Sequence, residues 1–388
     1  MNSVSALRVG AVSYLIDRNG VHALVSMDSA AHWTHLGAQG DEPTRVDNLR
    51  RELRDIRAVA GGRTPQLTEF ADSWGKTLLP REVLEHPPDV LVIVPHGWLH
   101  DLPLHLVSSD DGRPLGARSG ITYASSHTLF TRCTERNQRR KVGDAAGFDA
   151  TPPWTGPARD RKVRIAVADV RHNDDRLFEV VAEAVAGAFC AQDSVKTGPA
   201  SLSTLWQATH EEIPDVLCLV AHGWINPGDQ LTSGLLVLDE RATSYFSVIA
   251  REITFSLREL PFGQPPAALD LARPTVLLTA AQLEIFFESQ QELILLLGCS
   301  AGSGRLMRGD QPASLAERLL QCGAASVVAP LWDIDISSTA AWADAFLQAW
   351  HRGTMPKALA ARHALSRLHD DGVGLERAGA LTLRGDWL

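Results

Sequence analysis

Lysine, cysteine and long apolar runs are all scarce in this sequence. It has five lysines, so its basic side chains are mostly arginine, and 37 basic residues stand against 46 acidic ones for a formal net charge of −9. Phosphate backbones are bound mainly through Lys and Arg, so this balance argues against direct contact with nucleic acid. The five cysteines (Cys133, Cys190, Cys218, Cys299, Cys322) are odd in number, widely spaced and without a CxxC pair. That pattern offers neither a disulfide framework nor a structural zinc site, and fits free thiols in a reducing cytoplasm. The apolar stretch Leu293–Leu297 is far shorter than the roughly 20 residues that span a bilayer, and Met1–Gly20 carries Arg8, Asp17 and Arg18. The start therefore reads as a strand and not as a signal peptide, and no membrane association is expected.

What is present has the composition of a globular protein, 45% hydrophobic and 21% charged over 388 residues. Residues 8–15 and 21–26 are apolar and β-branched around Asp17-Arg18-Asn19-Gly20, a hairpin signal. Leu49, Leu53, Ile56 and Val59 recur at helical spacing over 47–60, and a second helix is expected to run to about Leu79. Val90–Val94 is an apolar strand between Pro88 and Pro95. Residues 137–162, rich in Arg, Lys, Gly, Pro and Asp, read as a linker. Beyond it, strands 163–167, 216–220, 293–297 and 326–331 alternate with helices 176–189, 312–321, 337–350 and 356–368. The first of these helices carries Leu177, Val180, Val181, Ala184 and Val185 on one side, and Gly323 is placed to cap the second. Apolar strands alternating with helices imply a mostly parallel sheet covered on both faces.

One segment echoes another. Residues 89–99 read DVLVIVPHGWL and residues 215–225 read DVLCLVAHGWI, with seven of eleven positions identical. The echo suggests two similar halves, each with a strand ending in His-Gly. Convergence of strand-then-turn sequences would produce the same echo.

Chemistry concentrates at two strand ends. Cys299 follows ELILLL and precedes Ser300-Ala301-Gly302-Ser303-Gly304, while His222 follows DVLCLVA and precedes Gly223. Taken singly, Cys299 is as well read as a small apolar strand cap, and His222 as a buried, hydrogen-bonded histidine. Together they end strands of one parallel sheet, and in such sheets reactive groups gather past the carboxyl ends. Nucleophile and base would then meet, with N–H groups of Gly223 and Cys299 available to an oxyanion.

The segments LVIVPHGWLHDLPLHLV (91–107), VLCLVAHGWINPGDQLTSGLLVLD (216–239), LTAAQL (278–283) and 293–335, with the tail FLQAW and KALAARHALSRL, resemble the CHAT-domain family of caspase-like cysteine peptidases. The resemblance implies a caspase-like three-layer α/β sandwich around a central, mostly parallel sheet. It implies an amino-terminal pseudo-caspase half (1–150) without a nucleophile and a catalytic half (151–388). His222 would be the catalytic histidine and Cys299 the nucleophile. Ser233 would begin the substrate-facing strand, and Trp332 and Asp333 would lie near the cleft. His96 matches a position where the family tolerates other residues. No cofactor or metal is implied. The substrate would be a protein, with a sensor or regulatory protein encoded nearby, in a bacterial stress, defence or cell-death system. The family's usual amino-terminal helical repeats are absent.

Two rival readings follow from the same residues. Gly298-Cys299-Ser300-Ala301-Gly302 matches the G-x-S-x-G elbow of α/β-hydrolases, with Ser300 as nucleophile and Asp333 or Asp335 as the acid. His351, His363 and His369, however, fall on predicted helices, and few strands follow Leu331. The other rival is a catalytically silent scaffold, since fold does not determine function. His96, His100 and His105 match no familiar zinc spacing and read as loop histidines packing a turn. Arg136, Arg139, Arg140 and Lys141 read as a solvated linker. Asp335 suits the cap of the helix near Ser337. Trp98 and Trp224, each after His-Gly, are candidates to line the cleft.

Overall fold

The computed structural model describes residues 7–37, 42–54, 64–143, 160–171, 177–224, 233–240, 247–250, 253–256, 265, 270–286, 290–303, 305–307 and 310–388. The chain begins with β1 (Val9–Asp17), β2 (Gly20–Met27) and β3 (Ala30–Gly37), followed by β4 (Val90–Val94) and β5 (Gly120–Tyr123). The middle of the chain gives β6 (Lys162–Val167), β7 (Ser194–Pro199), β8 (Val216–Val220), β9 (Gly223–Trp224) and β10 (Gly234–Leu238). Then come β11 (Ser247–Ala250), β12 (Ile253–Ser256), β13 (Thr275–Thr279) and β14 (Leu293–Leu297). The last strands are β15 (Arg305–Met307), β16 (Gln311–Ala313), β17 (Ser326–Pro330) and β18 (Leu381–Gly385).

Eleven strands form one sheet in the order β3-β2-β1-β4-β5-β18-β17-β14-β8-β6-β7. The hairpin expected at Asn19-Gly20 joins β1 to β2, with Asp17 opposite Gly20. β1, β4, β5 and β18 run parallel to one another, as do β17, β14, β8, β6 and β7. The two parallel blocks are spliced by one antiparallel pair, β17 with β18. The echoed strands take matching places: β4 lies between β1 and β5, and β8 between β6 and β14. Because of the splice, the two run in opposite directions.

Every residue of β8 and β14 is buried, and alternate residues serve different cores. Val216, Cys218, Val220, Leu293, Leu295 and Leu297 face helices Leu177–Gly187, Ile336–Leu347 and Lys357–Asp370. Leu217, Leu219, Ile294 and Leu296 face helices Leu202–Trp206 and Leu315–Cys322 together with β10 and β13. This two-sided burial is why these strands read as continuous apolar runs. The result is the three-layer sandwich expected from the sequence. Truncating a side chain such as Leu295 to alanine would cost about 2–5 kcal/mol.

The boundaries differ from expectation in informative ways. Helix Glu42–Arg54 starts earlier than the leucine spacing marks, and the later turns lie outside the described residues. The second helix ends at Asp72 and is followed by a short 3-10 turn, Trp74–Leu78. Residues 137–143 are not linker; they complete helix His127–Gly143, while 144–159, with the boundary near 150, lie outside the described residues. Within helix Leu177–Gly187, Val180 is 48% exposed and Phe178 is buried in its place. Gly323, at φ +127°, ends helix Leu315–Cys322 as expected. The carboxyl terminus is held by a buried cluster in which Lys357 Nζ lies 3.2 Å from the Asp386 carboxylate, which also accepts from Asn137.

Candidate active site

Parallel pairing of β8 with β14 sets Val220 opposite Leu297. His222 and Cys299 each follow by two residues, so they leave neighbouring strands at the same sheet edge. Neighbouring strands are about 4.8 Å apart, and here the turns beyond them are closer still. A β-carbon on Gly223 would fall 2.1 Å from the Cys299 carbonyl oxygen, which no side chain tolerates. A β-carbon on Gly298 would lie 2.9 Å from the Ala221 carbonyl oxygen. Two glycines thus let the His-Gly turn and the thiol-bearing turn touch through their backbones.

Local bonds hold each turn. Ser300 takes a left-handed φ of +55°. Its N–H donates to the Trp332 carbonyl at 3.2 Å, and the Gly302 N–H to the Pro330 carbonyl at 2.8 Å, which clamps the turn to the end of β17. The Ala316 N–H reaches the Ala301 carbonyl at 3.3 Å, and Ser314 caps that helix by accepting from the Glu317 N–H. On the other side, the His222 carbonyl accepts from the Leu236 N–H at 2.9 Å. β9 continues into a small antiparallel sheet, with Gly223 opposite Leu235 and Trp224 opposite Gly234. The His222 ring packs against Phe178, centroids 4.8 Å apart and planes tilted by 56°. Both His222 and Cys299 are half-buried, accessible yet held.

Ser233 is buried immediately before β10, its carbonyl accepting from the Ala280 N–H at 3.3 Å. The Trp332 side chain is only 2% exposed, and its indole N–H donates to the Glu376 carbonyl at 2.7 Å. Its position beside the Cys299 turn is as expected, since its carbonyl accepts from the Ser300 N–H, but its indole is buried in the core and is not exposed to bind substrate. Asp333 is half-buried and accepts from the Ser300 hydroxyl at 3.1 Å. Asp335 caps helix Ile336–Leu347, accepting from the Ser338 N–H at 2.9 Å. The Ser300 hydroxyl is thus bonded to a carboxylate with no imidazole between them, which does not fit the elbow reading. His351 is bonded to Arg161 and Asp193, and His363 and His369 lie on helix Lys357–Asp370.

The loop histidines do not converge on a common point. His105 is buried, its Nδ1 2.9 Å from the Tyr123 hydroxyl and its Nε2 2.8 Å from the Gly379 carbonyl. His96 and His100 face Asp310 instead. Among the described residues, Cys190, Asp193 and His351 bring donor atoms within 4.8 Å of one another. Arg161 donates to His351 Nδ1 at 2.7 Å, and His351 Nε2 lies 2.7 Å from Asp193. Asp193 also accepts from the N–H groups of Arg161 and Cys190. With an arginine in the cluster and its acceptors used, the group reads as a buried polar network better than as a cation site.

Sequence reasoning missed Phe178 and the Ser300–Asp333 bond. The helical spacing put Val180 on the buried side, and nothing in the sequence pointed to Phe178 as the ring beside His222. The serine–aspartate bond joins two loops that only the fold brings together.

A CHAT domain is recognised over residues 68–374. The chain belongs to the CHAT-domain family. The match spans both His-Gly strands as well as the Cys299 turn. No curated protein sequence matches the chain. Among solved structures, separase of Saccharomyces cerevisiae in complex with securin aligns with a TM-score of 0.44 at 12% identity, over 76% of this chain and 15% of separase. The Arg-specific cysteine proteinase gingipain R aligns with a TM-score of 0.44 at 10% identity, over 89% of this chain and 75% of that one. A complex of the pro- and mature domains of RgpB from Porphyromonas gingivalis aligns with the same score and identity, over 89% and 76%. Among the described residues of this CHAT protein, no helix is long and apolar enough to cross a membrane.

Proposed function

We propose that this CHAT protein is a caspase-like cysteine endopeptidase that cuts a protein partner in a limited, regulated way. The contact of Gly223 with the Cys299 backbone carries the reading, because it brings the histidine turn and the thiol turn to one sheet edge. In the proposed reaction the Cys299 thiolate attacks the scissile carbonyl and His222 protonates the leaving amine, giving an acyl-enzyme. Water, deprotonated by His222, then attacks the acyl carbon and releases the carboxylate product and the thiol. The N–H groups of Gly223 and Cys299 stabilise the oxyanion in both steps. Ser233 leads the strand along which substrate extends, and the Asp333 carboxylate favours a basic P1 side chain through a charge-assisted hydrogen bond. The amino half acts as a degenerate partner of the catalytic half, which the matching places of β4 and β8 support. All five cysteines are free thiols, in keeping with a cytoplasmic setting. A bacterial stress, defence or cell-death pathway, with a sensor protein encoded nearby, is the setting that the family resemblance suggests.

The test is turnover of a peptide or protein library by the wild type, Cys299→Ala and His222→Ala, with folding checked by circular dichroism. Cleavage by the wild type alone supports the peptidase. Equal biological output from Cys299→Ala would instead support a scaffold.

A further inference from the structure

The His-Gly pair of the amino half is put to a different use from that of the catalytic half. Gly97, at φ +59°, donates its N–H to Asp310 Oδ1 at 2.7 Å. His100 Nε2 lies 3.3 Å from Asp310 Oδ2, and His96 Nε2 lies 3.9 Å from the same oxygen. The His96 tautomer is fixed from the other side, because its Nδ1 accepts the Ile16 N–H at 3.2 Å. The proton of the neutral ring is therefore on Nε2, facing the carboxylate. One carboxylate is met by a backbone N–H and two imidazole edges contributed by a single segment, 96–100.

Asp310 belongs to the hairpin of β15 and β16, in which Met307 pairs with Gln311. This hairpin lies between the Cys299 turn and helix Leu315–Cys322. Asp310 itself has φ +61°, a left-handed conformation that a non-glycine residue adopts only at some cost, though Asp tolerates it better than most. Burial works against its charge, yet the bonds from His100 and the Gly97 N–H, with the His100 charge behind them, hold the carboxyl below the usual range. His100 is almost wholly buried, and Asp101 and Glu317 also lie within its electrostatic reach. A half-buried carboxylate at a hairpin tip, in an unfavoured backbone conformation, is thus held by a prepared set of donors on the other half of the chain.

We infer that Asp310 is a positioning residue: the His96–Gly97–His100 segment of the amino half is its receptor, and docking there holds the hairpin after Cys299, and with it the nucleophile turn, in place. The docking stands on the contacts alone, whereas its effect on Cys299 rests on Cys299 being the nucleophile. Anchoring both ends of the stretch from Gly298 to Ser314 limits the turn's excursions, and reactivity is sensitive to placement on that scale. The echo between residues 89–99 and 215–225 then has a functional meaning. One His-Gly turn touches the nucleophile's backbone, and the other grips the segment that follows it.

The experiment compares full-length wild type, Asp310→Ala, Asp310→Asn, His100→Leu and His100→Gln by hydrogen exchange and by the iodoacetamide alkylation rate of Cys299 across pH. The expected result is exchange about tenfold faster at the amides of 305–307, Gln311 and Ala313 in Asp310→Ala and His100→Leu, with β14 unchanged. Cys299 alkylation falls about fivefold in both, with an altered pH profile. His100→Gln, which keeps an N–H donor for the carboxylate, restores both readouts, and Asp310→Asn, which keeps an acceptor for Gly97, lies between. Unchanged exchange in the hairpin overturns the docking. Faster exchange with unchanged alkylation, or His100→Gln as damaging as His100→Leu, overturns the positioning role. If Asp310→Ala does not fold, His100→Leu and His100→Gln decide both points by the same readouts. If Cys299 proves unreactive in the wild type, the peptidase reading fails, and exchange by itself decides the docking.

Discussion

A β-carbon on Gly223 would stand 2.1 Å from the carbonyl oxygen of Cys299. The residue after the histidine therefore presses on the backbone of the residue that bears the thiol, with no side chain between them. Parallel pairing of β8 with β14 brings the two strand ends level, and glycine permits the last step of approach.

Gly223→Ala forces these turns apart. Turnover is expected to fall about 100-fold or more, as displacements near 1 Å at a reacting centre can produce. The fold should survive with a lowered melting temperature. Steady-state kinetics beside thermal unfolding checks this, and near wild-type turnover would remove the backbone contact from the mechanism.

The cysteines should differ sharply in reactivity. Burial pushes the Cys133 thiol up to about 12 and that of Cys218 higher still. Both should resist iodoacetamide in the native protein, since the thiolate is the reactive form. Cys299, half-buried on its turn, should be alkylated first. Mass spectrometry showing Cys190 or Cys322 modified while Cys299 stays inert would sink the nucleophile assignment.

Asp333 gives a test of specificity. Its carboxylate accepts from Ser300 beside the Cys299 turn, and a basic P1 side chain would be its counter-charge. Asp333→Asn should weaken the preference for Arg or Lys at P1 by roughly 2–5 kcal/mol. A peptide-library profile in which the wild type prefers apolar or acidic P1 residues, or in which the variant keeps the basic preference, excludes this role.

His105 should make the fold acid-sensitive. Burial drives its imidazole down to about 4, against the raising effect of the bond to the Gly379 carbonyl, while Arg384 lowers it further. Between about 6.5 in the unfolded chain and about 4 in the folded one, the unfolded state binds a proton that the native state does not. Stability is therefore unaffected by this group above that window and falls as pH drops through it, by up to about 3 kcal/mol. Urea unfolding at pH 7 and pH 5 should show the loss in wild type and less of it in His105→Gln. Equal pH dependence in the two proteins would assign the acid sensitivity to other groups.

Much of the architecture is legible in local sequence pattern. Strands buried on both faces, such as β4, β8, β14 and β17, advertise themselves as apolar runs, and the helices between them follow from spacing and caps. Other elements left no such mark. β3 is exposed along most of its length, β7 is an exposed edge, and β5 has four residues. β18 follows the last helices, where few strands are expected and no apolar run marks one, yet it splices the two blocks of the sheet. Trp332 was legible as a residue near the site but not as a buried one, because strand position does not tell which way an indole turns.

Local pattern is enough to specify the layers, the parallel character of the sheet, and a histidine and a cysteine at the carboxyl ends of two apolar strands. Those features follow from local pattern, since burial on two faces and turn glycines are written in neighbouring residues. Long-range packing is what makes β8 and β14 adjacent, brings Gly223 to Cys299, bonds Ser300 to Asp333, and carries Asp310 to the His96-Gly97 turn. Strand order and loop contacts depend on which distant segments bury one another. Hydrogen bonds such as that from Gly97 to Asp310 join residues separated by most of the chain, where no periodicity carries the information.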